Sequence, residues 1–415
     1  MDRRTPLLAF AGLLAVASTI PARAQGPALE RVSTVVPFPR GLVALDGALY
    51  VLSRGRVRGA GGVTAEVQDQ AGTIFRLDPR VASPLGDEDA PAVRTNGAPF
   101  AVPTAPPFRL WDRGASPPEA DRVTDRPYCV LRYHAPTASF YLCAFSGIDK
   151  RAEPGRREFS KNTTDGILRY DTRTRAWYEV ERHDIEAGGS YPHHDPAHGA
   201  PPHGWLNGPD NLLPVGRWLY AVAKDNSCLV RYDLAPIELD PTRAHPPSER
   251  ILGERVPLEG GGELLLYGHS ALAERDGWLY VGTRTSSLVV RLRLAPDGTL
   301  VTPVAAQLVA RFEPFDPRTG ATADLTDLGF DDLGRLYAVS AQPARVHRFV
   351  PDPARVYDGR AGASAPWLDL AAQTANPHMK IENLLAHDGF LYVCSGDGYS
   401  YQQGALGTVY RARLD

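Results

Sequence analysis

Apolar residues recur along this chain in short runs separated by turn residues, and one motif recurs within these runs. A Leu-Tyr or Phe-Tyr pair occurs at Leu49-Tyr50, Phe140-Tyr141, Leu219-Tyr220, Leu279-Tyr280, Leu336-Tyr337 and Leu391-Tyr392. Three pairs lie in the segments "GLVALDGALYVLS", "ALAERDGWLYVGT" and "NLLAHDGFLYVCS", where Asp-Gly separates two apolar runs. Asp-Gly between such runs is a strong signal for a tight β-hairpin. The pattern therefore predicts repeated antiparallel strand pairs.

A second motif follows each pair, with an aliphatic or β-branched residue two positions before an arginine. These arginines are Arg76, Arg169, Arg231, Arg291, Arg348 and Arg411. In three copies the Tyr and the Arg are 11 residues apart. The Arg segment predicts a third strand, and a fourth is predicted at 176–182, 249–258, 305–312 and 365–371. Four antiparallel strands repeated at about 60 residues predict the blades of a β-propeller.

The number of copies and the chain ends predict how the ring closes. The sixth copy ends with its third strand at the C-terminus, while a spare apolar segment, 28–36, precedes the first copy. We therefore predict an all-β, six-bladed β-propeller whose last blade is completed by this N-terminal strand, which leaves no open sheet edge. The predicted domain is 25–415, with blades near 37–100, 126–182, 205–258, 269–312, 324–371 and 381–415 plus 28–36.

The long insertions of this predicted propeller all belong to one face. The turns between first and second strands are short. The long segments are second-to-third strand loops and the crossovers at 79–127 and 183–204. Long loops in a compact fold are often binding loops or lids. A ligand site, if the chain has one, is expected on this loop-rich face around the axial tunnel.

The charge composition and the N-terminal segment indicate which binding partners and which cellular location to expect. The chain has 45 Lys and Arg against 48 Asp and Glu, without a basic stripe, so no nucleic-acid partner is expected. "MDRRTP", the apolar run "LLAFAGLLAVAST" and the small residues around Ala24 form the pattern of a signal peptide over 1–24. The apolar run is too short for a membrane span, and no other segment approaches that length. We expect a secreted or periplasmic protein.

The four cysteines do not have the spacing of a metal or redox motif. Cys129 and Cys143 flank a predicted hairpin centred on Pro136, which would place them opposite each other. In an oxidising compartment we expect a disulfide between them. Cys228 and Cys394 are expected to be buried free thiols.

Polar residues stand at the start of the first strand of several predicted blades, where they would ring the tunnel mouth. The pairs are Arg40-Gly41, Pro127-Tyr128, Asp210-Asn211, Ser270-Ala271, Thr326-Asp327 and Glu382-Asn383. His269 precedes the fourth pair, and His203 and Asn207 lead into the third. Carboxylate and amide oxygens suit Ca²⁺, Mg²⁺ or Mn²⁺, and added histidines would suit Zn²⁺ or Cu²⁺.

The segments "GPDNLLPVGRWLYAVAKDNSCLVRYDL" (208–234) and "LTDLGFDDLGRLYAVSAQPARVHRFVPD" (325–352) resemble blades of the gluconolactonase, regucalcin and paraoxonase propellers. That resemblance implies a divalent metal on the axis, Ca²⁺ or another ion, which polarises a lactone or ester carbonyl. It implies metal ligation by Asp210 or Asn211, by Thr326 or Asp327, depending on a one-residue choice of register, and by Glu382 or Asn383. The glutamate that the family has in its first blade is replaced here by Arg40, which cannot ligate a cation.

Three functions remain open from the sequence. The first is a metal-assisted hydrolase of a small cyclic ester or sugar derivative, with His203 or His269 as the general base and Arg40, Tyr128, Asn207 and His378 contacting the substrate. The second is a non-catalytic propeller that binds a protein or a saccharide on the loop-rich face. The third is a lyase or oxidoreductase with a His and metal site.

For some of these candidate residues, a structural explanation without a ligand is also open. The histidines His193, His194 and His198 lie among Pro, Gly and Ala and are expected in a solvated crossover loop. The mouth carboxylates would repel one another unless a cation lies between them. Arg40 could supply that cation, in which case the mouth holds an internal ion-pair network instead of a metal.

Overall fold

A computed structural model describes residues 26–58, 67–69, 72–87, 90–104, 123–148, 164–184, 206, 208–224, 226–314, 324–341, 343–360, 363–376, 379–396 and 407–415. Only the backbone is described for 56–58, 67–69, 123–129, 145–148, 164–165 and 182–184. Six four-stranded antiparallel units form the blades of a β-propeller, and their innermost strands contact one another in ring order. The predicted all-β, six-bladed fold is confirmed.

Each blade has four strands, numbered here from the axis outward. The first three blades consist of β2 (Pro39–Leu45), β3 (Ala48–Ser53), β6 (Ile74–Leu77) and β8 (Ala98–Ala101); β9 (Val123–His134), β10 (Ser139–Ile148), β11 (Thr164–Asp171) and β12 (Ala176–Asp184); and β13 (Pro209–Val215), β14 (Trp218–Ala223), β15 (Cys228–Asp233) and β16 (Ser248–Leu252). The last three consist of β19 (His269–Arg275), β20 (Trp278–Thr283), β21 (Leu288–Arg293) and β22 (Ala306–Arg311); β23 (Leu325–Phe330), β24 (Leu336–Ser340), β25 (Arg345–Phe349) and β27 (Leu368–Asp369); and β28 (Lys380–His387), β29 (Phe390–Gly396), β30 (Thr408–Arg413) and β1 (Leu29–Ser33).

A few short elements lie outside this repeat. β7 (Ser83–Pro84) extends the sixth sheet beside β1, and β26 (Tyr357–Asp358) pairs in parallel with β22. Two small hairpins join β4 (Arg56–Arg58) to β5 (Val67–Asp69) and β17 (Arg255–Pro257) to β18 (Glu263–Leu265). The described helices are α1 (Pro91–Thr95), α2 (Ala235–Leu239) and α3 (Leu370–Gln373). No described helix is long and apolar enough to cross a membrane.

The ring is closed by the N-terminal strand, as predicted. β1 pairs antiparallel with β30, which is the last strand of the chain, and Glu30 lies opposite Arg411. Arg411 Nε donates to Glu30 Oε2 at 2.6 Å, so a charged pair joins the two ends of the chain. The closure gives the sixth blade its fourth strand.

The repeated Tyr and Arg are cross-strand partners in every blade. They face each other in the register as Tyr50 and Arg76, Tyr141 and Arg169, Tyr220 and Arg231, Tyr280 and Arg291, Tyr337 and Arg348, and Tyr392 and Arg411. In several blades the guanidinium also stacks on an aromatic ring, for example Arg231 on Trp218 at 4.2 Å and Arg411 on Phe390 at 4.2 Å. The repeated Tyr and Arg of the sequence motif therefore form one structural unit, which stabilises the pairing of the second strand with the third.

The core consists of six apolar clusters, one between each pair of neighbouring blades. Successive residues of one strand serve opposite interfaces. In β3, Leu49 and Val51 pack toward the sixth blade, while Tyr50 and Leu52 pack toward the second. Side chains alternate across a strand, so a strand buried on both faces has a continuous apolar sequence. This explains why the repeated runs lack a polar alternation.

The predicted fourth strands differ from the structure in two blades. In the fifth blade the segment predicted as a strand at 365–371 contributes only β27 before α3 begins at Leu370. The Asp369 carboxylate accepts a hydrogen bond from the Ala372 amide at 2.9 Å and caps this helix. In the third blade the predicted strand at 249–258 is divided between β16 and β17, and β17 pairs outside the blade.

The predicted disulfide is wrong, although its strand register is right. Cys143 pairs with Cys129 across β9 and β10, yet Cys143 is a free thiol. The register shifts on both sides of Cys143, and Val130 adopts a φ of 55°. These irregularities remove the regular pair geometry that a disulfide between neighbouring strands requires. Cys228 and Cys394 are buried free thiols, as predicted.

Candidate functional site

A β-bulge begins the innermost strand of five blades at the loop-rich end of the tunnel. One residue is left out of the pairing with the second strand in each case: Arg40, Asp210, Ser270, Thr326 and Glu382. A bulge bends the strand and re-aims the side chains beside it. The bulged residue and the one after it are the mouth pairs predicted from the sequence in these five blades.

The second blade departs from this rule. Two residues, Tyr128 and Val130, are left out of its register on either side of Cys129. In the other five blades a leucine follows the mouth pair directly, and it pairs with the residue after the repeated Tyr. Leu131 makes the same pairing in the second blade, so the equivalent leucines are Leu42, Leu131, Leu212, Leu272, Leu328 and Leu384. The leucine of the second blade places Cys129-Val130 at the position predicted for Pro127-Tyr128. The Tyr128 side chain lies outside the described part of the structure.

Asp327 is the centre of a buried polar cluster that spans the axis. Its side chain has no solvent exposure. Oδ1 accepts from Arg132 Nη2 at 3.0 Å and from Asn211 Nδ2 at 2.9 Å. Oδ2 accepts from the Leu384 amide at 3.1 Å and from Asn383 Nδ2. Burial raises the pKa of Asp327, while the Arg132 charge opposes this shift.

Arg132 connects this cluster to the second and third blades. Its Nε donates to the Leu212 carbonyl at 3.0 Å, and its Nη2 also donates to Asn211 Oδ1 at 3.2 Å. The Asn383 side chain continues the cluster toward the first blade, where its Oδ1 accepts from the Leu42 amide at 2.9 Å. Side chains from four blades thus form one hydrogen-bonded plug, which we call the axial plug (Arg132, Asn211, Asp327 and Asn383), and a backbone amide of a fifth blade donates to it.

Glu382 and Arg40 form a second buried pair above the plug. Arg40 Nη1 donates to Glu382 Oε2, and both side chains are almost wholly buried. The Arg40 guanidinium also lies over the Phe38 ring at 5.0 Å. The internal ion pair predicted as the alternative to a metal is present at the position where the resemblance would place a glutamate ligand.

The described residues do not fit the divalent metal that the resemblance implies. Glu382 is paired with Arg40, and both carboxylate oxygens of Asp327 already accept hydrogen bonds. Arg40 at one ligand position and Arg132 beside Asp327 would repel a cation. No group of three His, Cys, Asp or Glu side chains suited to a metal occurs among the described residues.

Asp210 belongs to a separate charged group at the tunnel mouth. Lys224 Nζ lies 3.9 Å from Asp210 Oδ1, and Arg284 Nη2 lies 3.6 Å from Oδ2. Arg284 Nε also contacts Asp324, whose pKa is raised by burial. The side chains of Lys224 and Arg284 remain 17% and 24% exposed, so solvent reaches this group.

Lys224 and Arg284 occupy equivalent positions, and Arg54 shares them. Each follows the last residue of a second strand, and its backbone amide donates to the residue that precedes the innermost strand of its blade: Arg54 to Phe38, Lys224 to Gly208 and Arg284 to Gly268. We call these three side chains the mouth cations. The sequence does not mark them as site residues, because they follow the second strands and lie outside the polar pairs that start the innermost strands.

His269 is placed at the start of β19 but is wholly buried. Burial lowers the pKa of its imidazole to about 4, so the ring is neutral at pH 7. A buried imidazole has no path to a substrate in this arrangement, which does not support the predicted role of His269 as a general base.

The other predicted site residues lie outside the described part of the chain. These are His203, Asn207 and His378, together with the loop histidines His193, His194 and His198. Arg132 is the axial residue that sequence reasoning missed. An alignment on the six leucines would have found it, since the residue after the leucine is Val43, Leu213, Ala273, Gly329 or Leu385 in the other blades.

Comparisons with known proteins give fold likenesses at low identity. No protein-family model and no curated protein matches the chain. Similar solved structures include a regucalcin from Agrobacterium tumefaciens, with 9% identity, a TM-score of 0.45 and coverage of 94% of this chain and 96% of that one. Another is virginiamycin B lyase from Staphylococcus aureus, with 9% identity, a TM-score of 0.41 and coverage of 93% of this chain and 99% of that one. A third is a PQQ-bound aldose sugar dehydrogenase from Streptomyces coelicolor, with 15% identity, a TM-score of 0.41 and coverage of 94% of this chain and 100% of that one. The six-bladed fold is shown by the strand pairing of this chain, and these likenesses say nothing about its activity.

Proposed function

We propose that this chain is a ligand-binding propeller that takes up an anionic saccharide, such as a sugar acid, at the tunnel mouth on its loop-rich face. The observation that supports the proposal is the presence of two partly exposed mouth cations, Lys224 and Arg284, at one equivalent position in neighbouring blades. Arg and Lys at the rim of a concave site favour carboxylate ligands. The hydrogen-bonded side chains of the axial plug meet across the axis, so we expect a ligand to stay at the mouth.

The charges at the mouth favour an anion. Arg40, Arg54, Lys224, Arg284 and Lys380 are the cations described there, against the carboxylates of Asp210, Asp324 and Glu382. The distances of 3.6 and 3.9 Å from Asp210 to Arg284 and Lys224 exceed those of a short charge-assisted hydrogen bond. In the proposed complex a ligand carboxylate contacts the exposed part of Lys224 and Arg284, and Arg284 keeps its contact with Asp324.

The other functions have less support from the described residues. Metal-assisted hydrolysis of a cyclic ester would need carboxylate oxygens that are engaged by Arg40 and by the axial plug. No described residue specifically favours a lyase or an oxidoreductase. Recognition of a protein partner would use the loops of the same face, and it is an alternative outcome of the binding experiment.

Calorimetric titration with glucuronate and with glucose tests the proposal. We expect the purified protein to bind glucuronate at least about tenfold more tightly than glucose, with an affinity that falls as salt increases. Lys224→Met and Arg284→Met should each weaken glucuronate binding by about tenfold or more. Lys224→Met is the milder change, because Arg284 also contacts the buried Asp324.

Arg80→Met is the matched control. Arg80 is largely exposed and pairs with Asp78 after the third strand of the first blade, at the opposite end of the tunnel from the mouth. This variant should bind glucuronate like the unmodified protein. Equal binding of both sugars, or metal-dependent turnover of a lactone, would contradict the proposal.

We also propose that the protein is exported, on the basis of the signal-peptide pattern over 1–24. Expression of the full chain in a Gram-negative host, followed by fractionation and N-terminal sequencing, is expected to give periplasmic protein that begins at Gln25. Cytoplasmic protein that retains Met1 would count against export.

A further inference from the structure

We propose that the Arg132 guanidinium is the built-in cation of this propeller's axis and takes the structural place of the metal ion that the family resemblance implies. The proposal is independent of the ligand that binds at the mouth. It rests on the geometry of the axial plug and on the mismatch between that geometry and a metal site.

Arg132 reaches three different blades from a single side chain. It extends from β9 in the second blade and donates to Asn211 and Leu212 in the third, at 3.2 and 3.0 Å. It also pairs with Asp327 in the fifth blade at 3.0 Å. A metal ion on the axis of a propeller would cross-link blades in the same way, by holding oxygen atoms from several of them.

The oxygen atoms that could ligate a metal are already hydrogen-bond acceptors. Asn211 Oδ1 accepts from Arg132, and Asn383 Oδ1 accepts from the Leu42 amide. Asp327 accepts through both oxygens, from two side-chain amides, one backbone amide and Arg132. A metal would have to displace these donors and remain beside a guanidinium that is always charged.

The charge balance of the plug is complete with Arg132 alone. One buried carboxylate and one guanidinium neutralise each other, and the asparagines supply neutral donors. Arg132 has only 14% exposure, and Asp327 has none. Removal of the arginine would leave a buried carboxylate between two amides with space beside it, which is a set of oxygen ligands that a divalent cation could fill.

Melting curves of four variants, with and without EDTA and CaCl₂ or MnCl₂, test this inference. The unmodified protein should contain no stoichiometric metal, and its Tm should change by no more than ~1 °C with chelator or metal. Arg132→Ala should melt about 8 °C lower, because a buried charge loses its partner, and added Ca²⁺ or Mn²⁺ should restore several degrees of that loss. Arg132→Lys should lie between the two, since a lysine keeps the charge but cannot reach several acceptors at once.

Asp327→Asn and the double variant Arg132→Ala/Asp327→Asn complete the design. The double variant should show no metal response and should be less destabilised than the sum of the single changes. Strict additivity, a lower Tm of the unmodified protein in EDTA, or a stoichiometric metal that Asp327→Asn abolishes would overturn the proposal. If Arg132→Ala does not fold, metal analysis and chelation of the unmodified protein decide the question alone.

Discussion

Arginine has two distinct roles at the level of single residues in this propeller. The repeated arginines of the third strands stack on aromatic rings and face the repeated tyrosines, as Arg231 does with Trp218 and Tyr220. Arg132 and Arg40 instead pair with buried carboxylates on the axis. Both roles use the planar, permanently charged guanidinium, which stacks and donates in several directions. We expect lysine to be a poor substitute at either kind of position.

Two buried histidines make the stability of the fold depend on pH. Burial lowers the pKa of His269 and of His347 to about 4 each, against an ordinary value near 6.5. Above pH 6.5 both rings are neutral whether the chain is folded or unfolded. Between about pH 6.5 and 4 the unfolded chain binds protons at these sites and the folded chain does not. The free energy of unfolding therefore falls with decreasing pH in this window.

His269→Asn is expected to reduce this acid sensitivity. Between pH 7.5 and pH 5 the free energy of unfolding should fall by about 2 kcal/mol less in the variant than in the unmodified protein, since one proton-linked site is gone. Urea unfolding at several pH values measures the difference. His245→Asn is the control, because its imidazole is largely exposed. An identical pH slope for His269→Asn and the unmodified protein would refute this assignment.

At the level of strands, one irregularity recurs at the same place in the fold. The bulges of five innermost strands place Arg40, Asp210, Ser270, Thr326 and Glu382 at the mouth. A strand buried on both faces would otherwise present only apolar side chains there. The bulge provides a position where polar residues can stand without disturbing the apolar clusters between blades. The mouth is therefore built into the blade repeat and does not depend on the insertions alone.

The closing strand β1 can be tested through its charged pair. Glu30→Lys should lower the free energy of unfolding by about 1 kcal/mol, because it places two cations opposite each other in the last sheet. Arg411→Glu alone should cost more, since Arg411 also donates to the Pro79 carbonyl at 2.7 Å and stacks on Phe390. The double charge swap should recover part of the loss, with a coupling of about 0.5 kcal/mol or more. Denaturant titrations of the four proteins give this coupling, and a value of zero would mean that the pair does not help to close the ring.

For the whole molecule, closure of the ring completes the set of apolar clusters between neighbouring blades. Each apolar cluster needs residues from two neighbouring blades, such as Leu49 and Tyr392 between the first and the last. A blade alone would expose one face of every strand. The N-terminal strand therefore determines whether the last interface forms, since its Val32 and Leu29 contribute to clusters on both sides of the sixth blade.

The sequence by itself determined the blade number, the hairpin positions, the closing strand and most of the mouth residues, because each follows from local periodicity repeated six times. It could not determine which polar groups meet across the axis. Arg132 and Asp327 are 195 positions apart in the chain, and their contact depends on the register of two distant blades. Cys143 is a free thiol beside a shift in the strand register, and no sequence pattern indicates that shift. Only the tertiary structure decided these points. Ion pairs and bulges depend on distances in three dimensions between residues that are far apart in the chain, whereas strands and turns depend on the spacing of residues along it.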